Sequence, residues 1–236
     1  MLGSMDSATL LLHEQLLLLV LDEEKGTSRS SYADPALAGA VLVDLLRLET
    51  LQLVEQHLTV TTQPRPSAGV LGEVTAVIAQ EPTPRTPRWW VDHLPGRLKP
   101  FLPRLAAQLV AAGILTERQH KILGVFPSSP RFPEQDHAPG AVVRQRLRAV
   151  LLGAGKPEED QAVLAGLVVA AGLLNTVVDK PEHAQAKRRA EELRSTGDEL
   201  ADAARQAIKA AQDAVIAATL AASVAATSAA TAATST

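Results

Sequence analysis

AVLAGLVVAAGLLNTVV, residues 162–178, carries no charge and only two polar side chains, Asn175 and Thr176. A helix that is apolar all round has to lie in a protein core or in a bilayer. A membrane span needs about 20 consecutive, mainly apolar residues. This run is shorter, is diluted by Ala and Gly, and is flanked by Glu158, Glu159, Asp160 and Asp179. It therefore reads as a core helix buried on every side. Gly166 and Gly172 would weaken a solvated helix, so they read as places where neighbouring helices approach closely.

The rest of the composition agrees with a helical body packed around that run. The chain has 236 residues, 46% of them hydrophobic, enough for a sizeable core. Aromatics make up only 3% while Ala and Leu abound, which favours close-packed helices over a sandwich or barrel. The absence of cysteine excludes disulfides, zinc–thiolate sites and thiol catalysis. The opening MLGSMDS lacks the positive flank of a secretory signal, so a cytoplasmic protein is expected. The expected fold is mainly α, a single helical domain around a buried central helix with small β-hairpins. Residues 1–8 read as disordered or vector-derived, 9–221 as the helical domain and 222–236 as an Ala/Thr-rich tail.

Periodicity and punctuation place the other elements. Asp6 or Ser7 can cap a largely buried helix over residues 10–21. DEEKGTSRSSYADP is a polar loop turning at Gly26, with Pro35 opening a helix over residues 36–48. LQLVEQHLTVTT, residues 51–62, reads as a short hairpin ended by Pro64 and Pro66. Helical spacing returns over residues 69–80, is broken by EPTPRTPR, and resumes briefly in RWWVDHL. A helix from about Pro103 ends at Gly113, a good left-handed cap, and ILTERQHKILGVF holds two short strands. PSSPRFPEQDHAPG reads as an exposed loop, followed by helices at about 140–152, 157–178 and 182–194 and a last one from Asp198 into a fraying tail. The order helix, tight turn, hairpin occurs twice, in LVDLLRLETLQLVEQHLTV and LAAQLVAAGILTERQHKIL, which is also the order of a winged helix.

Charge is strongly asymmetric along the chain. Between Arg85 and Arg148 eleven bases stand against four acids, a net of +7 that leaves −10 elsewhere in a chain of net charge −3. Gathered on one face, these bases would attract anionic lipid or nucleic acid; dispersed, they would be an ordinary solvated surface. Trp89 and Trp90 cannot both point inward from one helix, so one of them belongs at a surface or membrane interface. Phe126 and Phe132 bracket PSSPR in a proline-rich loop. Such a loop, with Arg131 beside it, suits insertion among lipid headgroups; folded back, its phenylalanines would fill gaps in the core instead.

Nothing in the sequence frames a catalytic site. His13, His57, His93, His120, His137 and His183 are dispersed, and no HExxH, GxSxG, P-loop or GxGxxG surrounds them, so each reads as a surface or cap residue. Glu158, Glu159 and Asp160 stand where a helix N-terminus favours negative charge. No metal or cofactor is expected.

Four blocks in order, HEQLLLLVLDEEKGT, DPALAGAVLVDLLRLETLQL, RLAAQLVAAGILTERQHKILGVFPSSPRFPE and LVVAAGLLNTVVDKPEHAQAKRRAEEL, resemble the Golgi phosphoprotein 3 family over about residues 10–194. The resemblance implies a non-enzymatic, mainly helical protein. Eukaryotic members bind phosphatidylinositol 4-phosphate in a shallow basic pocket, insert an apolar hairpin into the membrane and hold cytosolic tails of glycosyltransferases. The pocket aromatic of the family falls on Tyr32 in SYAD, and the arginine of the next helix on Ala38. On the basic helix, Lys99 and Leu102 replace two arginines and Arg104 keeps the third, while the inserted hairpin falls on residues 125–132. One lysine does not replace a bidentate arginine clamp, so recognition of a 4-phosphate is not expected, whereas attraction to acidic lipid is. Few lysines, many arginines, much alanine and no cysteine point to a bacterial relative from a GC-rich genome.

The functional expectation is a peripheral protein on the inner face of the membrane that binds anionic phospholipid, with a phosphoinositide-like headgroup, through a basic face and an inserting hairpin loop, and works as a non-catalytic adaptor. Tyr32, Trp89, Trp90, Arg97, Lys99, Arg104 and Arg131 are the candidate headgroup ligands. Phe126, Pro127, Pro130 and Phe132 are the candidate inserting loop. Further partners implied are cytosolic tails of membrane proteins and, through the Ala-rich last helix, a second copy of the chain; no nucleic acid is expected. The alternative is a helical protein-interaction or nucleic-acid-binding regulatory module that uses its two helix–hairpin units.

Overall fold

In the computed structural model the described residues are 10–64, 68–119, 121–122, 126–127, 130–154, 157–195 and 213–217. The expected caps Asp6 and Ser7, most of the last helix and the tail lie outside them. The fold is mainly α.

The innermost element is α1 (Leu12–Val20), in which every residue except Gln15 is buried. Its first turn is closed by two carboxylates. Glu14 Oε2 accepts from the Leu11 N–H at 2.9 Å, and Asp44 accepts from the N–H groups of Leu12 (3.0 Å) and His13 (2.9 Å) and binds His13 Nδ1 at 2.7 Å. Asp44 belongs to α2 (Ala33–Arg47), so α2 caps α1 across the core. The helix α2 starts two residues earlier than its proline suggests and is buried continuously over residues 36–46.

The hairpin follows as expected: β1 (Leu51–Val54) pairs antiparallel with β2 (His57–Val60), Leu51 opposite Val60. Glu55 and Gln56 take left-handed φ of 47° and 68°, the geometry of a two-residue type I′ turn. Next come α3 (Gly69–Ala79), α4 (Pro87–Arg97) and α5 (Phe101–Ala111). A Gly113 of φ +73° ends α5, its N–H and that of Ile114 bonding back to Val110 and Leu109. Beyond it β3 (Lys121–Ile122) and β4 (Phe126–Pro127) make a second antiparallel pair, so a helix is again followed by a hairpin, but not by the strands expected on either side of Gln119 and His120 nor over residues 125–132: Leu115 bridges Glu134 instead. The chain closes with α6 (Ala138–Leu151), α7 (Glu159–Ala170) and α8 (His183–Ser195).

The run at residues 162–178 is not one helix. Its first part is α7, which stops at Ala170 because Gly172 takes φ +69°, with the Gly172 and Leu173 N–H groups bonded to Val169 and Val168. After that cap the run leaves the α-helix for a 3-10 turn, Leu174–Thr176, with Leu173, Leu174, Val177 and Val178 buried and Asn175 exposed. Gly172 thus terminates the helix rather than admitting a neighbour, and the element buried almost all round is α1. Along α7, Val163, Leu164, Ala165, Leu167 and Val168 are buried, whereas Ala162, Gly166, Val169 and Ala170 are half-exposed. Buried apolar residues of the eight helices and of the first hairpin form one continuous cluster from Leu10 to Val215.

Candidate functional site

Around α4 the sequence collects aromatic and cationic groups on one corner. Thr86 Oγ1 accepts from the Trp89 N–H at 3.3 Å and Pro87 opens the helix, which fixes the two tryptophans in the first turn. The pair splits as helical geometry requires: Trp90 is fully buried and Trp89 half-exposed. The Trp89 ring stacks on His93 at 4.0 Å and 7° and meets the edge of Trp90 at 4.9 Å. The guanidinium groups of Arg85 and Arg97 lie 4.8 and 4.9 Å from its centroid.

Both arginines are already engaged by one carboxylate. Glu81 Oε1 accepts from Arg85 at 3.1 Å and Glu81 Oε2 pairs with Arg97 at 2.7 Å. Burial pushes the Glu81 pKa up, but hydrogen bonds from Arg85 and Arg97 more than offset it and hold the carboxyl below its ordinary range. Arg88 pairs with Asp92 at 2.9 Å, and Arg104 with Glu73 of α3 at 2.6 Å. Lys99 is exposed and makes no ion pair among the described residues.

Arg131 sits elsewhere, past the far end of α5. Its backbone forms an antiparallel bridge with Arg118, N–H to C=O distances being 2.9 and 2.8 Å in the two directions. That bridge stands at the base of the β3–β4 hairpin and puts two guanidinium-bearing residues directly opposite each other. Like charges so placed repel, and neither arginine makes an ion pair among the described residues. Arg118 is one of the eleven bases of the charged segment, and only the strand register brings it to Arg131.

The candidate headgroup ligands therefore do not form one group. Trp89, Trp90 and Arg97 are together, and Arg104 contacts the Lys99 carbonyl at 3.4 Å. Tyr32 is half-exposed at the start of α2; its N–H is held by Ser30 Oγ, which donates to the Ala171 carbonyl at the end of α7. No hydrogen bond, ion pair or ring contact joins Tyr32 or Arg131 to the tryptophan corner among the described residues. Ala38, where the family resemblance sets an arginine, is fully buried in α2, so no side chain there reaches a ligand. Trp90, expected among the headgroup ligands, has no exposed surface either, and such a ring does not line a headgroup site.

A second correction concerns the loop. Phe132 is 2% exposed, and its N–H donates to the Gly26 carbonyl at 2.9 Å, locking the segment onto the turn at residues 22–27. It fills the core and does not insert. Pro130 is half-buried, while the side chains of Phe126 and Pro127 lie outside the described residues.

The layout defined so far is a mainly α-helical protein with two helix–hairpin units, a half-exposed aromatic corner and an arginine pair at the base of the second hairpin. The family model for Golgi phosphoprotein 3 (GPP34) matches residues 12–211, and the chain belongs to that family. Among curated proteins none matches the chain. No helix among the described residues is long and apolar enough to cross a membrane.

Proposed function

We propose that this protein is a non-catalytic adaptor that docks reversibly on anionic phospholipid through the base of its second hairpin, at the inner face of a membrane. The observation that carries this reading is the Arg118–Arg131 pair: two like charges held across one ladder, in a position that a surface rich in phosphate would stabilise. Lys99 adds exposed charge at the other end of α5. Arg97 and Arg104 contribute less, because Glu81, which Arg97 shares with Arg85, and Glu73 are already paired with them. Trp89, half-exposed with two guanidinium groups over its ring, suits the headgroup layer. Phe126, in the second hairpin by sequence, is the apolar residue proposed to enter it. A 4-phosphate clamp is not part of the proposal, since Ala38 and Leu102 stand where the family resemblance puts arginines.

Each basic side chain near an anionic surface is worth about 1 kcal/mol. Replacing Arg118 and Arg131 by Gln should therefore weaken binding to phosphatidylglycerol vesicles roughly 30-fold in a flotation assay. Equal flotation on neutral phosphatidylcholine and anionic vesicles, or a double variant that floats like the native chain, would overturn the reading. A DNA duplex shifted in a gel by native protein, with vesicles ignored, would establish the nucleic-acid alternative instead.

A further inference from the structure

Where the turn at residues 22–27 meets the start of α6, the fold assembles three ligand-bearing side chains that lipid docking does not use. Glu23, Glu134 and His137 each point one donor atom into a space no more than 4.8 Å across. Glu134 is the anchor. Its side chain is 1% exposed, its backbone N–H donates to the Glu23 carbonyl at 2.8 Å, and its Oε2 has no hydrogen-bond partner. A buried carboxylate oxygen left without a donor is costly, and this one faces His137 Nδ1 at 3.3 Å without the alignment of a hydrogen bond.

The surroundings are built tightly on that carboxylate. A Cβ at Gly140 would lie 2.6 Å from Glu134 Oε1 and 2.8 Å from Oε2, so the first turn of α6 rests directly against it. Arg144 Nη1 takes up Glu134 Oε1 at 3.1 Å and Glu23 Oε1 at 3.3 Å, and Arg29 lies 3.9 Å from the same Glu23 oxygen. All the arginine contacts thus fall on Oε1 atoms. That is the arrangement in which outer groups orient metal-binding carboxylates and leave the second oxygens for the ion. The imidazole of His137, 60% exposed, supplies nitrogen at the mouth, and Glu23 also lines a cavity of about 460 Å³ with Arg29, Leu173 and Thr176.

We propose that Glu23, Glu134 and His137 bind a first-row divalent cation, zinc being the best match to two carboxylate oxygens and one imidazole nitrogen. Three protein ligands leave a fourth coordination position open. Binding would tie the turn at residues 22–27 to α6, so the bound ion should also raise the melting temperature.

The test uses the full chain freed of metal by chelation and titrated with zinc chloride in a calorimeter. One zinc per chain is expected, with affinity falling at least tenfold in His137→Ala and in Glu134→Gln, and unchanged in His183→Ala. Because His137 is largely exposed, its variant keeps the fold, which circular dichroism verifies, and it decides the matter even if the Glu134 variant does not fold. Absence of a one-equivalent binding event in the native chain, or native affinity in His137→Ala, would overturn the proposal. A bound cobalt ion giving the visible absorption of a four- or five-coordinate centre in the native chain, and losing it in His137→Ala, would support it.

Discussion

Glu81 holds two arginines with one carboxylate, and that makes its protonation a stability question. Because its folded pKa is depressed, the stability it adds is complete above the ordinary carboxylate pKa of about 4.3 and is lost as pH falls through the depressed value. A Glu81→Gln variant should therefore show a shallower loss of stability on acidification than the native chain, measured by urea unfolding from neutral pH down into the carboxylate range. Phe132 gives a prediction of a different kind. Truncation to Ala removes a fully packed ring and should cost about 3–5 kcal/mol in chemical denaturation, while flotation on anionic vesicles, measured where the variant is folded, stays at the native level. An inserting phenylalanine would give the reverse pattern, weaker flotation with stability intact.

Among the elements, α1 depends on a residue of another helix. Asp44 satisfies two backbone donors and one imidazole nitrogen in a setting where water does not reach. Asp44→Ala strands all three and should cost on the order of 3–5 kcal/mol by urea unfolding, several times what a solvent-exposed cap loses. The end of α7 is held differently. Gly172 has open space where a Cβ would go, so Gly172→Ala meets no neighbour and pays only for the left-handed backbone, about 1–2 kcal/mol in the same measurement. A gain in stability there would mean that α7 extends beyond Ala170, as the uninterrupted apolar run suggests.

On the scale of the whole molecule, charge is arranged in two ways. At the α3–α4–α5 corner the arginines are paired with carboxylates, Arg85 and Arg97 sharing Glu81, whereas at the base of the second hairpin the cations stand alone among the described residues. Docking through unpaired surface cations is screened by salt. Flotation on anionic vesicles should therefore fall steeply between low salt and 0.5 M sodium chloride, and the Arg118→Gln, Arg131→Gln double variant should show a much flatter dependence.

Local patterns decided a good part of this protein: the mainly α class, the first hairpin, the Gly113 cap and the division of Trp89 from Trp90 follow from short-range periodicity, turn chemistry and the 100° step between neighbours in a helix. The ordered blocks carried the family as well. What only the tertiary structure decided is which buried segment lies innermost, because an apolar run looks the same whether it continues as helix or turns at a left-handed glycine. The same holds for charge and for Phe132. Whether an arginine is free depends on carboxylates tens of residues away, such as Glu73 for Arg104, and whether a phenylalanine in a proline-rich loop faces lipid or core depends on the Gly26 turn it packs against. Glu134 and His137 stood three apart in a segment that looked like open loop; only folding that loop onto Glu23 and α6 made them neighbours of a third ligand.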